Sequence, residues 1–116
     1  MQGKQGDKAR ILHILDAIEE IDFYNSNVDF EKFIKTSIIR FASIKQIEII
    51  GEAANHVSDE TKSKHPEIPW KKIVGLRHIL IHEYFGVDAK IVWDIIQNDL
   101  PELKKHIQSL LQSMEN

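Results

Sequence analysis

Five side chains able to bind anions or move protons fall within eight positions of one segment, "RHILIHEY" (residues 77–84): Arg77, His78, His82, Glu83 and Tyr84. Arginine stays charged at working pH, and its planar fork donates two hydrogen bonds to an oxyanion. Histidine exchanges protons near neutrality, since its unperturbed pKa is about 6.5. His78 and His82 are four apart on one helical face, a spacing that can also hold a metal ion. Their order, H-x-x-x-H-E, differs from the H-E-x-x-H of zinc proteases and no third ligand is evident, so no metal is expected. The plain alternative is packing. Histidines then hydrogen-bond among isoleucines, Arg77 pairs with Glu52 or Asp94, and Tyr84 is a core aromatic.

Helical geometry limits what this segment does alone. Arg77 and Tyr84, seven apart, lie about 20° from each other around a helix, whereas Arg77 and His82 are roughly 140° apart. One helix does not aim Arg77 and His82 at a common point. Either side chains of different reach converge, or two subunits each contribute to one cleft.

The elements that must position these groups are all helical. From Lys8, Ile11, Ile14, Leu15, Ile18 and Ile21 recur at three- and four-residue steps, with residues 1–7 expected to fray. "NSNV" interrupts that stripe, and Asp29 can cap a short helix through Phe30 and Phe33. A long helix follows, with Ile38, Phe41, Ile44, Ile47, Ile50, Ala54 and Val57 predicted on its buried side. Gly51, Ala53 and Ala54 are small enough to let another helix come close. Ser58 caps a short turn that ends at Pro66 and Pro69. Trp70 opens the helix carrying "RHILIHEY", and Gly86 closes it. Asp88 caps a further helix, and Asp99 with Pro101 marks the start of the last one. The expected architecture is all-α, a single-domain up-down bundle of four to five main helices over residues 1–116.

Composition narrows the function. At 116 residues, with 42% apolar and 28% charged side chains, the chain has ordinary globular usage. It has no cysteine, hence no disulfide framework. No apolar run approaches the ~20 residues of a membrane span, and the polar start "MQGKQGDK" is unlike a signal peptide, so a cytoplasmic protein without membrane association is expected. The net charge of -3 argues against binding nucleic acid by bulk attraction; any such binding must rely on a few focused cations. Trp70 and Trp93 read as packing residues, while His13, His56, His65 and His106 are scattered without suggesting a shared site. Lys71 and Lys72, shortly before Arg77, are candidates to extend a nucleic-acid path.

The motif "R77-H78-I-L-I-H82-E-Y84" resembles the R-x4-6-H motif of HEPN domains, and its closer form R-x4-H-x-Y resembles that of the HepT-like toxins. "IEIIGEAANHVS" is similar to the family's I-G-E-A segment, "HPEIPWKKIVGLRHILIHEYFGVD" to its P-x-I-P-W block, and "VWDIIQNDLPELKKHI" to its C-terminal helices. The resemblance covers most of the chain from about Ile11. It implies an HEPN-like helical bundle and a ribonuclease toxin, paired with a minimal nucleotidyltransferase antitoxin.

It further implies catalytic roles for Arg77 and His82, with His78 and Glu52 in support and no cofactor. Metal-independent RNA cleavage needs the 2′-hydroxyl deprotonated, the phosphoryl charge stabilised and the leaving 5′-oxygen protonated. A homodimer brings two Arg77 and two His82 to one cleft, which answers the 140° offset. Tyr84 is implied as the residue to which the antitoxin transfers AMP. Two other readings compete: a catalytically silent HEPN module that binds nucleotide or a partner protein, and a plain helical dimerisation domain.

Overall fold

The computed structural model describes the backbone of residues 4–82 and 88–115 and the side chains of residues 6–78 and 88–115. The chain forms α1 (Lys4–Tyr24), α2 (Phe30–Lys35), α3 (Ser37–Asn55), α4 (Asp59–Lys64), α5 (Trp70–His82), α6 (Ala89–Asp94), a π-helical turn (Ile95–Asp99) and α7 (Leu100–Glu115). The described residues include no strand. The expected all-α bundle is what forms. No helix among the described residues is long and apolar enough to cross a membrane.

The caps follow local chemistry. The carboxylate of Asp29 accepts from the Lys32 N–H at 2.8 Å, the hydroxyl of Ser58 from Thr61 N–H at 3.2 Å, and the carboxylate of Asp88 from Lys90 N–H at 2.9 Å. Each satisfies a donor that the first helical turn leaves unpaired. Between α1 and α2 the chain reverses at Asn27, whose φ of 60° lies in the left-handed region that asparagine tolerates.

α3 is the central element, packing against α1 on one side and α5 on the other, while α7 covers α1. The shared core takes Ile11, Ile14, Ile18 and Ile21 from α1, Ile44, Ile47 and Ile50 from α3, Ile73 and Leu76 from α5, and Leu103, Ile107 and Leu110 from α7. Each such side chain contributes about 1.5–3 kcal/mol by leaving water. Both tryptophans pack, as expected. Trp70 is buried and donates its indole N–H to the His65 carbonyl at 3.0 Å. Trp93 lies against Phe30 and Phe33, with ring centroids 5.9 and 5.2 Å away.

Three expectations are corrected. First, α1 begins at Lys4 rather than Lys8, and Asp7 is only 3% exposed. Its carboxylate accepts from the Ser58 backbone N–H at 2.9 Å and from the hydroxyls of Ser58 and Thr61, which ties the first turn of α1 to the start of α4. Second, Ile38 and Phe41 are not buried: they are 80% and 59% exposed, near the start of α3, and Phe23 and Ile34 are exposed as well. Third, the last helix does start at Leu100, between Asp99 and Pro101 as expected, but without a break before it. The helical path runs unbroken from Ala89 to Glu115. Proline lacks an N–H and its ring crowds the carbonyl four residues back. The wider turn just before it relieves that crowding, and Leu100 N–H bonds Ile95 O five residues back.

Candidate active site

The site starts from a close helix crossing. A Cβ added at Gly51 would meet the Arg77 Cβ and backbone N at 3.2 Å and the Ile73 carbonyl at 3.3 Å. A residue without a side chain lets α5 come this near α3 without either helix giving way, as the small residues of "IGEA" suggested. Gly75, on α5 itself, has open space where a Cβ would be and plays no such part.

That crossing sets Arg77 beside Glu52. The Arg77 Nη1 donates to Glu52 Oε2 at 2.6 Å, the first of the two pairings the sequence allowed. Asp94, the other, pairs with Lys90. The second carboxylate oxygen of Glu52 accepts from His56 Nε2 at 3.0 Å. Glu52 therefore bridges Arg77 and His56, and the Arg77 hydrogen bond, followed by that of His56, holds its carboxyl below the usual carboxylate range. The Arg77 side chain is 26% exposed. Its Nε is buried without a partner among the described residues, so the stem of the side chain is sunk and the guanidinium tip faces the opening.

An open cleft of about 370 Å³ lies over this pair, lined by Lys45, Glu48, Ile49, Glu52, Arg77 and His78. His78 is exposed at its edge. The structure thus brings together three of the anticipated site residues: Arg77, His78 and Glu52. α5 stays helical through His82, which preserves the angular offset between positions 77 and 82. The His82 side chain, and Glu83, Tyr84 and Gly86 entirely, lie outside the described residues.

Two smaller readings change. Lys72 does not extend this cleft. It lies on the other side of α5, pairs with Asp99 at 3.3 Å, and lines a separate 170 Å³ cavity between α5 and α7 with Ile73, Leu76 and Leu103. His13 and His56 are not scattered. Together with Arg10 they line a second cleft of about 290 Å³ on the α1 side of α3. No sequence signal reveals this, because His13 and His56 are 43 positions apart and meet only through the α1–α3 packing. His65 and His106 stay apart from both clefts. Among the described residues there is no group of three or more His, Cys, Asp or Glu that could hold a metal ion.

Comparisons with known proteins give the family of the chain. A family model described as "Ribonuclease HepT-like" matches residues 14–110. A protein of Methanocaldococcus jannaschii, named as a candidate RNase, is 39% identical over 105 residues, covering 90% of this chain and 96% of its own. A candidate RNase of Caldanaerobacter subterraneus is 41% identical over 100 residues, or 86% of this chain and 89% of its own. The "Probable ribonuclease HepT" of Thermococcus cleftensis is 38% identical over 107 residues, which is 92% of this chain and 97% of its own. No solved structure matches. An all-helical bundle, with an arginine held in an open cleft and a family match spanning both, leads to one conclusion: the chain belongs to the HepT-like ribonucleases of the HEPN type.

Proposed function

We propose that this protein is a metal-independent RNA endonuclease, the toxin of a toxin–antitoxin pair, which cuts RNA in a cleft shared by two copies of the chain. The observation that carries this reading is Arg77, anchored through Nη1 to Glu52 with its tip at the mouth of an open cleft. Among the described residues its one acceptor is Glu52, which takes one terminal N–H and leaves the others for a phosphate oxygen. A fixed cation poised where negative charge grows on the phosphoryl group is the electrostatic half of the reaction. Glu52 acts as a positioning residue for that cation, and His78 supports the edge of the cleft.

Proton transfer falls to His82, one copy acting as base on the 2′-hydroxyl and the other as acid on the leaving 5′-oxygen. A two-fold arrangement supplies both histidines and overcomes the 140° offset within a single helix. Seven-residue helical spacing from Arg77 would set position 84 on nearly the same face. AMP transferred to Tyr84 by a nucleotidyltransferase antitoxin would set a phosphate beside Arg77, imitating RNA and excluding it.

The test is RNA cleavage by purified, partner-free protein in EDTA, with Arg77→Ala and His82→Ala compared to the unaltered chain. Each variant loses activity by about 10² or more while keeping its helical content. Equal cleavage by all three proteins refutes the assignment, and no cleavage by the unaltered chain favours a silent HEPN module. Sedimentation of the active species checks the shared cleft, which a fully active monomer rules out. Incubation with an active cognate antitoxin and ATP checks the modification. The expected result is a mass gain of AMP that Tyr84→Phe abolishes, and an unchanged mass for the unaltered chain counts against it.

A further inference from the structure

Apart from Glu52, the residues of the second cleft have no part in the chemistry just described, and its make-up is specific. On α3, Ile49, Glu52, Ala53 and His56 follow the i, i+3, i+4, i+7 spacing of one helical stripe. On α1, Arg10 and His13 are three apart and face that stripe. The two clefts lie on opposite flanks of α3 and share Ile49 and Glu52 in their linings. Because α3 stands between them, the axes of α5 and α1 lie up to two interhelical spacings apart, about 16–20 Å. A sugar-phosphate chain crosses that width within a few nucleotides.

The charges are unevenly compensated. In the Arg77 cleft, Lys45 is met by Glu48 at 3.7 Å and Arg77 by Glu52 at 2.6 Å. In the second cleft Glu52 is the only acid in the lining, and its two oxygens are already taken by Arg77 and His56. Among the described residues Arg10 forms no ion pair, and it shares the lining with His13 and His56. Ile49, half-buried between the clefts, offers an apolar surface to a ribose or base on the way across.

From these features we infer that the Arg10–His13–His56 cleft is a phosphate subsite for nucleotides flanking the scissile bond, so that bound RNA crosses α3 from Arg77 to Arg10. The inference builds on the ribonuclease reading above and supplies what a net charge of -3 leaves unexplained, a focused cationic path on an acidic protein.

The experiment uses the full chain in EDTA and a fluorescein-labelled 2′-O-methyl RNA 12-mer. That probe lacks the 2′-hydroxyl nucleophile, so anisotropy reads binding independently of cleavage. Arg10→Glu is expected to weaken binding about tenfold or more at low salt, and Arg10→Gln by a smaller factor with the salt slope reduced by about one. His13→Ala weakens it a few-fold. Lys35→Glu, the same charge change on exposed α2, leaves it unaltered. Thermal melts of the Arg10 variants matching the unaltered chain confirm that the fold persists. The inference is overturned when Arg10→Glu binds as Lys35→Glu does, or when the unaltered chain does not bind the probe. Cleavage of unmodified RNA is read separately. Binding that depends on Arg10 without any cleavage sinks the ribonuclease reading and leaves the subsite standing. Cleavage with a KM insensitive to Arg10→Glu does the reverse.

Discussion

The two ends of α3 carry the same kind of sequence and meet opposite fates. Both read as apolar helix. Near the C-terminal end, Gly51 admits α5 to van der Waals contact, Ile47 and Ile50 vanish into the core, and Glu52 emerges holding Arg77 and His56. Toward the N-terminal end, roughly 21 Å away along the axis for the fourteen residues from Ile38 to Glu52, Ile38 and Phe41 face solvent. The flanking elements make the difference. Long α1 and α5 enclose one end, while six-residue α2 leaves the other partly bare. An apolar stripe proposes a buried face, and coverage decides how much of it is buried. The charged site sits at the covered end, so Arg77 is held on a closely packed helix crossing.

Stability measurements can break or sharpen this contrast. The largest effect is expected at Ile47, fully buried in the centre of α3, where Ile47→Ala costs about 2–5 kcal/mol in chemical denaturation. A cost near zero there would mean that the core is not organised around α3. Next comes Asp7, which pins the well-covered end of the molecule to α4. Burial alone raises the Asp7 carboxyl. The hydrogen bonds from the Ser58 and Thr61 hydroxyls and the Ser58 N–H, aided by the charge of Lys62, outweigh burial and hold it below the ordinary value. Its contribution is therefore fully present above about pH 4, the ordinary range of an unfolded aspartate, and is lost as pH falls through the lower folded-state value. Asp7→Asn costs on the order of 1–3 kcal/mol in urea unfolding at neutral pH. The gap between variant and unaltered chain narrows in acid below pH 4, and an equal gap at neutral and strongly acidic pH contradicts the assignment.

Smaller effects separate the two glycines. Gly51→Ala gains about 1 kcal/mol of helix propensity but forces backbone atoms of α5 to move, so a net loss of roughly 1 kcal/mol is expected, together with lower RNA cleavage as Arg77 shifts. Gly75→Ala meets open space and should raise stability by about 0.5–1 kcal/mol. Identical melting shifts for the two variants would remove the close crossing from the explanation of the site. Smallest of all is Ile38→Ser, within about 0.5 kcal/mol because its side chain leaves little water on folding. A cost comparable to that at Ile47 would show that the bare end of α3 is covered in solution.

Local chemistry was legible in the amino-acid sequence. Asp29, Ser58 and Asp88 announce helix starts because a cap depends on a side chain and a backbone N–H two or three residues away. Helical periodicity gives the all-α class for the same reason, and the residue types of "RHILIHEY" state which chemistry is available. The resemblance to the HEPN family could also be read there, since it rests on ordered motifs. What needed the tertiary structure depends on partners distant along the chain. The burial of Asp7 needs Ser58 and Thr61, more than fifty residues on. The anchoring of Arg77 was one of two options until Gly51 brought α3 and α5 together. The exposure of Ile38 and Phe41 follows from what fails to cover them, and the Arg10–His13–His56 cleft exists only because α1 lies against α3. Sequence determined which groups the protein can use, through interactions a few residues long. Packing decided which of those groups meet, because a helix presents every face equally until its neighbours choose among them.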